Sequence, residues 1–154
     1  MSRANASMLL DEQLCFALYA ATTQIVRAYR GPLATLGLTY PQYLAMLVLW
    51  ECGGQTVKGL ADRLGLDSST LTPLLKRLEA SGFVSRIRDQ ADQRIVRISL
   101  TSRGEALRTP ATAIQKRVAC KTRLSSRGFV MLRAQLHELA AAIAEEQEAE
   151  AGAL

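Results

Sequence analysis

The run TVKGLADRLGLDSSTLTPLLKRLEASGFVSRIRDQADQRIVRISLT, residues 56–101, places two short amphipathic segments directly before two alternating ones. Thr56 can cap a helix in which Val57, Leu60, Ala61 and Leu64 share one face, and Gly65 ends it. Asp67, Ser68 or Ser69 can cap a second, with Leu71, Leu74, Leu75 and Leu78 as its apolar stripe and Gly82 as its stop. Pro73 is tolerable if it falls in or near the first turn of that helix. Phe83 to Arg88 and Arg94 to Leu100 alternate apolar with polar residues around Asp89-Gln90-Ala91-Asp92-Gln93, which predicts a β-hairpin with a solvated tip. Two short helices joined by Gly65-Leu66-Asp67, the second followed at once by a basic hairpin, make the pattern of a winged helix-turn-helix.

Burying the leucine stripe of the second helix turns Ser68, Ser69, Thr70, Thr72, Lys76 and Arg77 outward, where hydroxyls and cations can meet bases and phosphates. The hairpin adds Arg86, Arg88, Arg94 and Arg97, and an arginine at its tip can enter a narrow minor groove. Both features point to double-stranded DNA as a partner. The net charge of +5 suits a polyanionic partner, with the cations running through the middle of the chain and Glu145, Glu146, Glu148 and Glu150 near its end.

The flanks read as helices. Leu14, Leu18, Ala21, Ile25 and Ala28 recur at three or four, and Gly31-Pro32 is expected to close that helix. Pro41, preceded by Thr39 or Tyr40, opens a helix that is nearly all apolar from Tyr43 to Glu51, so it should be buried on most sides. Cys52-Gly53-Gly54 then breaks the chain. Thr101 or Ser102 is expected to cap a helix running past Cys120, and Ser125 or Ser126 one that continues through Leu132, Leu136, Leu139 and Ile143. With 154 residues, aromatics at 5% and an abundance of Leu and Ala, the expectation is a single, mainly α domain with a small β-wing. No stretch has the roughly 20 apolar residues of a membrane span, and no secretory signal pattern opens the chain, so a cytoplasmic location is expected. The three cysteines are too few and too widely spaced for a secreted disulfide framework and would begin as thiols.

From Val57 to Thr101 the chain resembles the DNA-binding lobe of MarR-type regulators, whose wing has an acidic residue, a spacer and an arginine, then a strand ending in Leu-Thr. Asp92, Arg94 and Leu100-Thr101 match it. The resemblance implies that Arg94 contacts the minor groove with Asp92 positioning it. It also implies a homodimer on a pseudo-palindromic operator, with residues 56–101 as the winged lobe and residues 8–50 and 102–148 as dimerisation helices. Within that family the chain is most similar to the organic-hydroperoxide-sensing OhrR branch, through Leu14-Cys15-Phe16-Ala17-Leu18-Tyr19-Ala20, Tyr40-Pro41-Gln42-Tyr43-Leu44 and Asp67-Ser68-Ser69-Thr70-Leu71-Thr72-Pro73. By this resemblance Cys15 is the peroxide-reactive thiol. Tyr29 and Tyr40 of the other subunit would hydrogen-bond its thiolate, Tyr19 and Asp67 would support that network, and Cys120 would be the resolving cysteine of a two-cysteine repressor. The chemistry is coherent, because an ordinary thiol with a pKa of about 8.5 is mostly protonated at neutral pH and phenol donors stabilise its anion. Cys52 has no match and reads as structural.

Two other readings use the same residues. One keeps the fold and DNA binding but makes a small aromatic ligand the trigger. The other makes Cys15 the nucleophile of a thiol peroxidase, for which a histidine base is expected; His137, the sole histidine, stands in the last helix without a partner motif. Cys15, Cys52, Cys120 and His137 contain no pair at metal-binding spacing, so neither a metal nor a cofactor is expected, and the chain reads as a regulator and not an enzyme.

Overall fold

Side-chain caps start most of the helices in the computed structural model, which describes residues 8–90, 92 and 94–152. Ala91 and Gln93 of the expected wing tip lie outside the described residues, as do the first seven and last two positions of the chain. Thr39 and Gln42 close a reciprocal capping box ahead of α2 (Tyr40–Cys52), with Pro41 in the first turn where its missing N–H costs nothing. Seven residues of α2 are buried, from Gln42 to Trp50, as its apolar run requires. Cys52, expected in the turn with Gly53-Gly54, is instead the last residue of this helix and is exposed. Thr56 accepts from Gly59 N–H to start α3 (Val57–Leu64), and Gly65, at φ 63°, ends it in the left-handed region that suits glycine. Asp67 is the N-cap of α4 (Ser68–Ala80).

Two helix ends differ from the expectation. α1 (Leu14–Ala34) runs through Gly31-Pro32 to Ala34, because Leu33 is fully buried and its packing outweighs the one backbone bond lost at Pro32. The single helix expected from Thr101 past Cys120 is instead α5 (Ser102–Ala106) followed by α6 (Arg108–Lys121). Pro110 explains the break: its ring would clash with the carbonyl of Ala106 in a continuous helix, so α5 stops there and Pro110 falls in the first turn of α6. Pro73 lies beyond the first turn of α4, which is held by the buried Leu71, Leu75 and Leu78 on its inner face.

The wing has three strands and not only a hairpin. β1 (Gln55–Thr56) pairs antiparallel with β3 (Val96–Leu100), which pairs antiparallel with β2 (Val84–Arg88), giving the order β1-β3-β2. A two-residue strand has no alternation to read, so β1 is visible only once its partner is placed. The core gathers Leu33, Met46, Leu49, Leu60, Leu71, Leu75, Leu78 and Ile98, all essentially inaccessible. At its edge Trp50 Nε1 donates to the Gly104 carbonyl at 3.1 Å, and Thr101 Oγ1 donates to the Gly82 carbonyl at 2.7 Å while accepting from Gly104 N–H at 3.0 Å.

The chain forms two compact units, one ending at Val118 and the other beginning at Ala119. The first holds α1 to α5, the wing and nearly all of α6. The second holds the end of α6 and α7 (Ser126–Gly152), which Ser125 caps by accepting from Gly128 N–H at 3.1 Å. Phe129, Leu132, Leu136 and Ile143, at helical spacing on α7, are 38 to 51% exposed. Among the described residues no helix is long and apolar enough to cross a membrane, and no cluster of His, Cys, Asp and Glu could hold a metal ion.

Candidate nucleic-acid interface and sensing residues

A groove of about 510 Å³ opens between the start of α3, the start of α4 and the wing. Its polar lining is Thr56, Lys58, Ser68, Thr72, Arg86 and Arg94. Three cations and three hydroxyl side chains thus line one groove, beside the amino end of α4, whose unpaired N–H groups favour an anion. Ser69, Thr70, Lys76 and Arg77 are exposed on α4, and Arg88 is exposed at the end of β2. The wing tip is ordered by its own carboxylates: Asp92 Oδ1 accepts from Arg94 N–H at 2.9 Å, and Asp89 Oδ2 accepts from Arg97 Nε at 3.0 Å. Asp92 therefore orients Arg94 through the backbone, leaving the exposed guanidinium available for contact.

Arg86 is placed differently from the other wing cations. Its side chain is 21% exposed and stands 3.7 Å from Glu79 on α4, and its Nε is buried without a hydrogen-bond partner. It spans α4 and β2 as well as lining the groove. Lys58 escaped the sequence reading. It is the second residue of α3, and only the fold of β1 and β3 brings that helix start beside the wing.

The sensing candidates divide into two groups. Cys15 and Tyr19 stand one turn apart near the start of α1, both exposed, Tyr19 to 69%. Tyr29 packs against Tyr40 at 5.2 Å between ring centroids and against Tyr43 at 5.5 Å. Tyr19 and Tyr40 line a cavity of about 580 Å³ with Thr22, Val26, Arg27 and Arg30. Cys15 and Tyr29 lie on the same helix fourteen residues apart, about 21 Å along its axis at 1.5 Å per residue. Within one chain Tyr29 does not reach the sulfur. Asp67 stands at the head of α4, and Cys120 is exposed near the end of α6, in the second unit.

Burial raises the pKa of Tyr29, Tyr40 and Tyr43 above the usual phenol range, and the neighbouring phenols add to the rise for Tyr29 and Tyr43. All three are neutral donors at physiological pH. A smaller contribution from the Tyr43 hydroxyl opposes the rise at Tyr29.

Residues 38–96 match the sequence pattern of the MarR family. The organic hydroperoxide resistance transcriptional regulator of Bacillus subtilis is 42% identical over 132 residues, which cover 86% of this chain and 90% of that protein. The chain belongs to the MarR family. With that membership it is a transcriptional regulator and not an enzyme. The MarR-family chain is also 62% identical over 99 residues to the HTH-type transcriptional regulator TtmR of Methylorubrum extorquens, a match that spans 64% of this chain and about half, 51%, of TtmR. Among solved structures it resembles AbfR of Staphylococcus epidermidis. Reduced AbfR bound to DNA aligns with a TM-score of 0.75 at 35% identity over 88% of this chain and 93% of AbfR. Disulfide-formed AbfR aligns at 0.65 and 34% identity over 90% and 92%. The mainly α winged helix-turn-helix architecture is that of the family.

Proposed function

We propose that the protein is a homodimeric repressor that holds a pseudo-palindromic operator and releases it when an organic hydroperoxide oxidises Cys15. Residues 56–101 form the DNA-reading lobe, and residues 8–50 and 102–148 the dimerisation helices. One observation carries the reading: an exposed Cys15 and a packed group of neutral phenols occur in a chain that aligns over 90% of an organic hydroperoxide resistance regulator. The apolar residues exposed on both flanks, among them Leu10 and Leu14 on one side and Leu132 and Leu136 on the other, are surface that a second copy would cover. Dimerisation also resolves the 21 Å separation, since Tyr29 and Tyr40 of one subunit can serve Cys15 of the other, with Tyr19 and Asp67 supporting them.

In the reaction the Cys15 thiolate attacks a peroxide oxygen. The S–O bond forms as the O–O bond breaks, the alkoxide leaves and takes up a proton as an alcohol, and the sulfur becomes a sulfenic acid. The Cys120 thiolate of the other subunit then attacks that sulfur, forming the S–S bond and expelling hydroxide, which leaves as water. A disulfide requires Cα atoms within about 7 Å, so closing it moves the helices that carry the DNA-reading lobes. Mobility-shift titration of the reduced protein on the DNA upstream of its own gene, with and without an organic hydroperoxide, tests partner and trigger together. Retention of the complex at full thiol oxidation would refute the switch.

For the DNA contact, Ser68, Ser69, Thr70, Thr72, Lys76 and Arg77 enter the major groove, with the two recognition helices roughly 34 Å apart. Arg94 enters the flanking minor groove, and Arg86 and Arg88 face phosphates. Arg94→Ala is expected to cost about 1–3 kcal/mol of operator affinity, or roughly fivefold to 150-fold, measured at physiological salt. An unchanged Kd would remove the wing from the interface. A second reading has one observation in its favour: the cavity beside Tyr19 and Tyr40, about 580 Å³ with Arg27 and Arg30 on its lining, would fit a small aromatic acid. Release by such an acid, with none by hydroperoxide, would favour it.

A further inference from the structure

Glu79 is the single carboxylate within α4, a helix whose other charged side chains, Lys76 and Arg77, are cations. It lies seven residues, about two turns, beyond Thr72, and so on the helix face that carries Thr72 into the groove between α3, α4 and the wing. Its carboxylate stands 3.7 Å from Arg86 Nη1, and 43% of its side chain is exposed. Arg86 comes to that position from the sheet. On β2 it pairs with the fully buried Ile98 of β3, so its stem leaves the core face of the wing and its charged head runs out to α4. The same side chain lines the groove with Ser68 and Thr72 and is 21% exposed. Its buried Nε is, among the described residues, the sole buried side-chain polar atom without a partner. An acid on a surface that meets DNA repels phosphate, so the place of Glu79 is explained by what it holds and not by its own charge.

We propose that Glu79 is a positioning residue for DNA binding: by holding Arg86 across the junction of α4 and β2, it presents the guanidinium to one backbone phosphate in the groove. This rests on the reading of Arg86 as a phosphate contact. A free arginine has many rotamers to lose when it is fixed, and one already held against α4 loses fewer on binding. The pairing itself adds little to the fold, because an ion pair at this distance and exposure is weak in water. Its effect is directional. With Nη1 turned toward Glu79, an arriving phosphate supplies an acceptor to a guanidinium whose hydrogen bonding is incomplete in the protein alone. Lys58 lines the same groove and adds positive charge there. Removing the Glu79 charge therefore sets two effects of opposite sign against each other. Coulombic attraction alone predicts tighter DNA binding, since the net charge of +5 would grow by one. Loss of positioning predicts weaker binding.

The test is Glu79→Gln, with Arg86→Gln and the double variant beside it, as fully reduced protein on a duplex taken from upstream of its own gene. Glutamine keeps the shape of the side chain and removes the charge. At physiological salt Kd should rise roughly threefold to tenfold in Glu79→Gln, and the slope of log affinity against log salt should shrink by about one. Arg86→Gln should shrink it equally, because both variants lose the same phosphate contact. The double variant should bind no more weakly than Arg86→Gln, since the two residues act through one contact. Thermal unfolding of each free variant at one protein concentration reports that it is folded; a merely structural role for Glu79 would lower Tm and leave the salt slope as it was. Affinity in Glu79→Gln equal to or above the parent's, or an unchanged salt slope, would overturn the positioning role while the Arg86 contact stands. Parent affinity and slope in Arg86→Gln would instead defeat the reading of Arg86 on which the proposal rests. Should Glu79→Gln not fold, Glu79→Asp decides the matter: it keeps the charge but draws the carboxylate back by one methylene, so the salt slope should again shrink by about one, and a parent-like slope would overturn the proposal.

Discussion

Gly104→Ala is expected to destabilise the protein by about 3–5 kcal/mol, although helix propensity alone would favour alanine by about 1 kcal/mol. The two effects have opposite signs, so the direction of the change identifies which governs this position. A Cβ at residue 104 would fall inside the van der Waals envelope of the Phe83 carbonyl oxygen, 2.9 Å from the Phe83 carbonyl carbon and 3.3 Å from Leu100 Cδ2. Backbone cannot yield as a side-chain tip can. α5 would therefore have to lift from the wing, and lifting it breaks the bond from Trp50 Nε1 to the Gly104 carbonyl and the Thr101 bonds that tie the same helix start to Gly82. Overpacking costs typically about 1–3 kcal/mol and each lost hydrogen bond about 1 kcal/mol, which together give the stated range. At about 2–4 °C per kcal/mol for a chain of this size, Tm should fall by roughly 10 °C. Variant and parent must be compared at one protein concentration, since association contributes to apparent stability. A variant as stable as the parent would mean that α5 can shift freely against the wing, and the Trp50 contact would lose its structural importance.

Cys15→Ser should abolish the response to organic hydroperoxide while leaving operator binding intact, and Cys120→Ser should fail in a different way. Serine at position 15 keeps the shape of the side chain but supplies no anion at neutral pH, so the O–O bond has no attacking group. To swing a regulator from almost wholly bound to almost wholly free takes a change in relative affinity of about 10⁴, and a lone sulfenic acid adds only one oxygen atom. Capture by a second thiol imposes a distance that the reduced protein need not satisfy, which supplies the missing strain. Cys120→Ser should thus still consume hydroperoxide, give no disulfide-linked dimer on a non-reducing gel, and let Cys15 proceed to sulfinic acid. Cys52→Ser should behave as the parent does. A crosslink that persists without Cys120, or that needs Cys52, would reassign the resolving thiol. A full response in Cys15→Ser would end the hydroperoxide mechanism and favour the ligand-released reading.

Apart from the break between α5 and α6, the helices and their starts were legible because they rest on near neighbours. Thr39 with Gln42, Thr56 with Gly59 and Thr101 with Gly104 are caps closed within three residues, and the leucine stripe of α4 follows from the helical period. The winged order of elements, the outward hydroxyls of α4 and the exposure of Arg94 follow from the same local rules. Where distant contacts compete with a local signal, the local reading fails. Buried Leu33 carries α1 past Gly31-Pro32, and β1 exists only because β3 lies beside it. Pro110 is the converse case, a local signal in plain view whose effect on Ala106 ends α5. The groove that adds Lys58 to Ser68, Thr72, Arg86 and Arg94 joins residues from α3, α4 and the wing, and the pairing of Tyr29 with Tyr43 joins α1 to α2. Periodicity says which face of an element is apolar, whereas which two faces meet is settled by the packing of the whole core, and both groups of side chains owe their chemistry to that meeting.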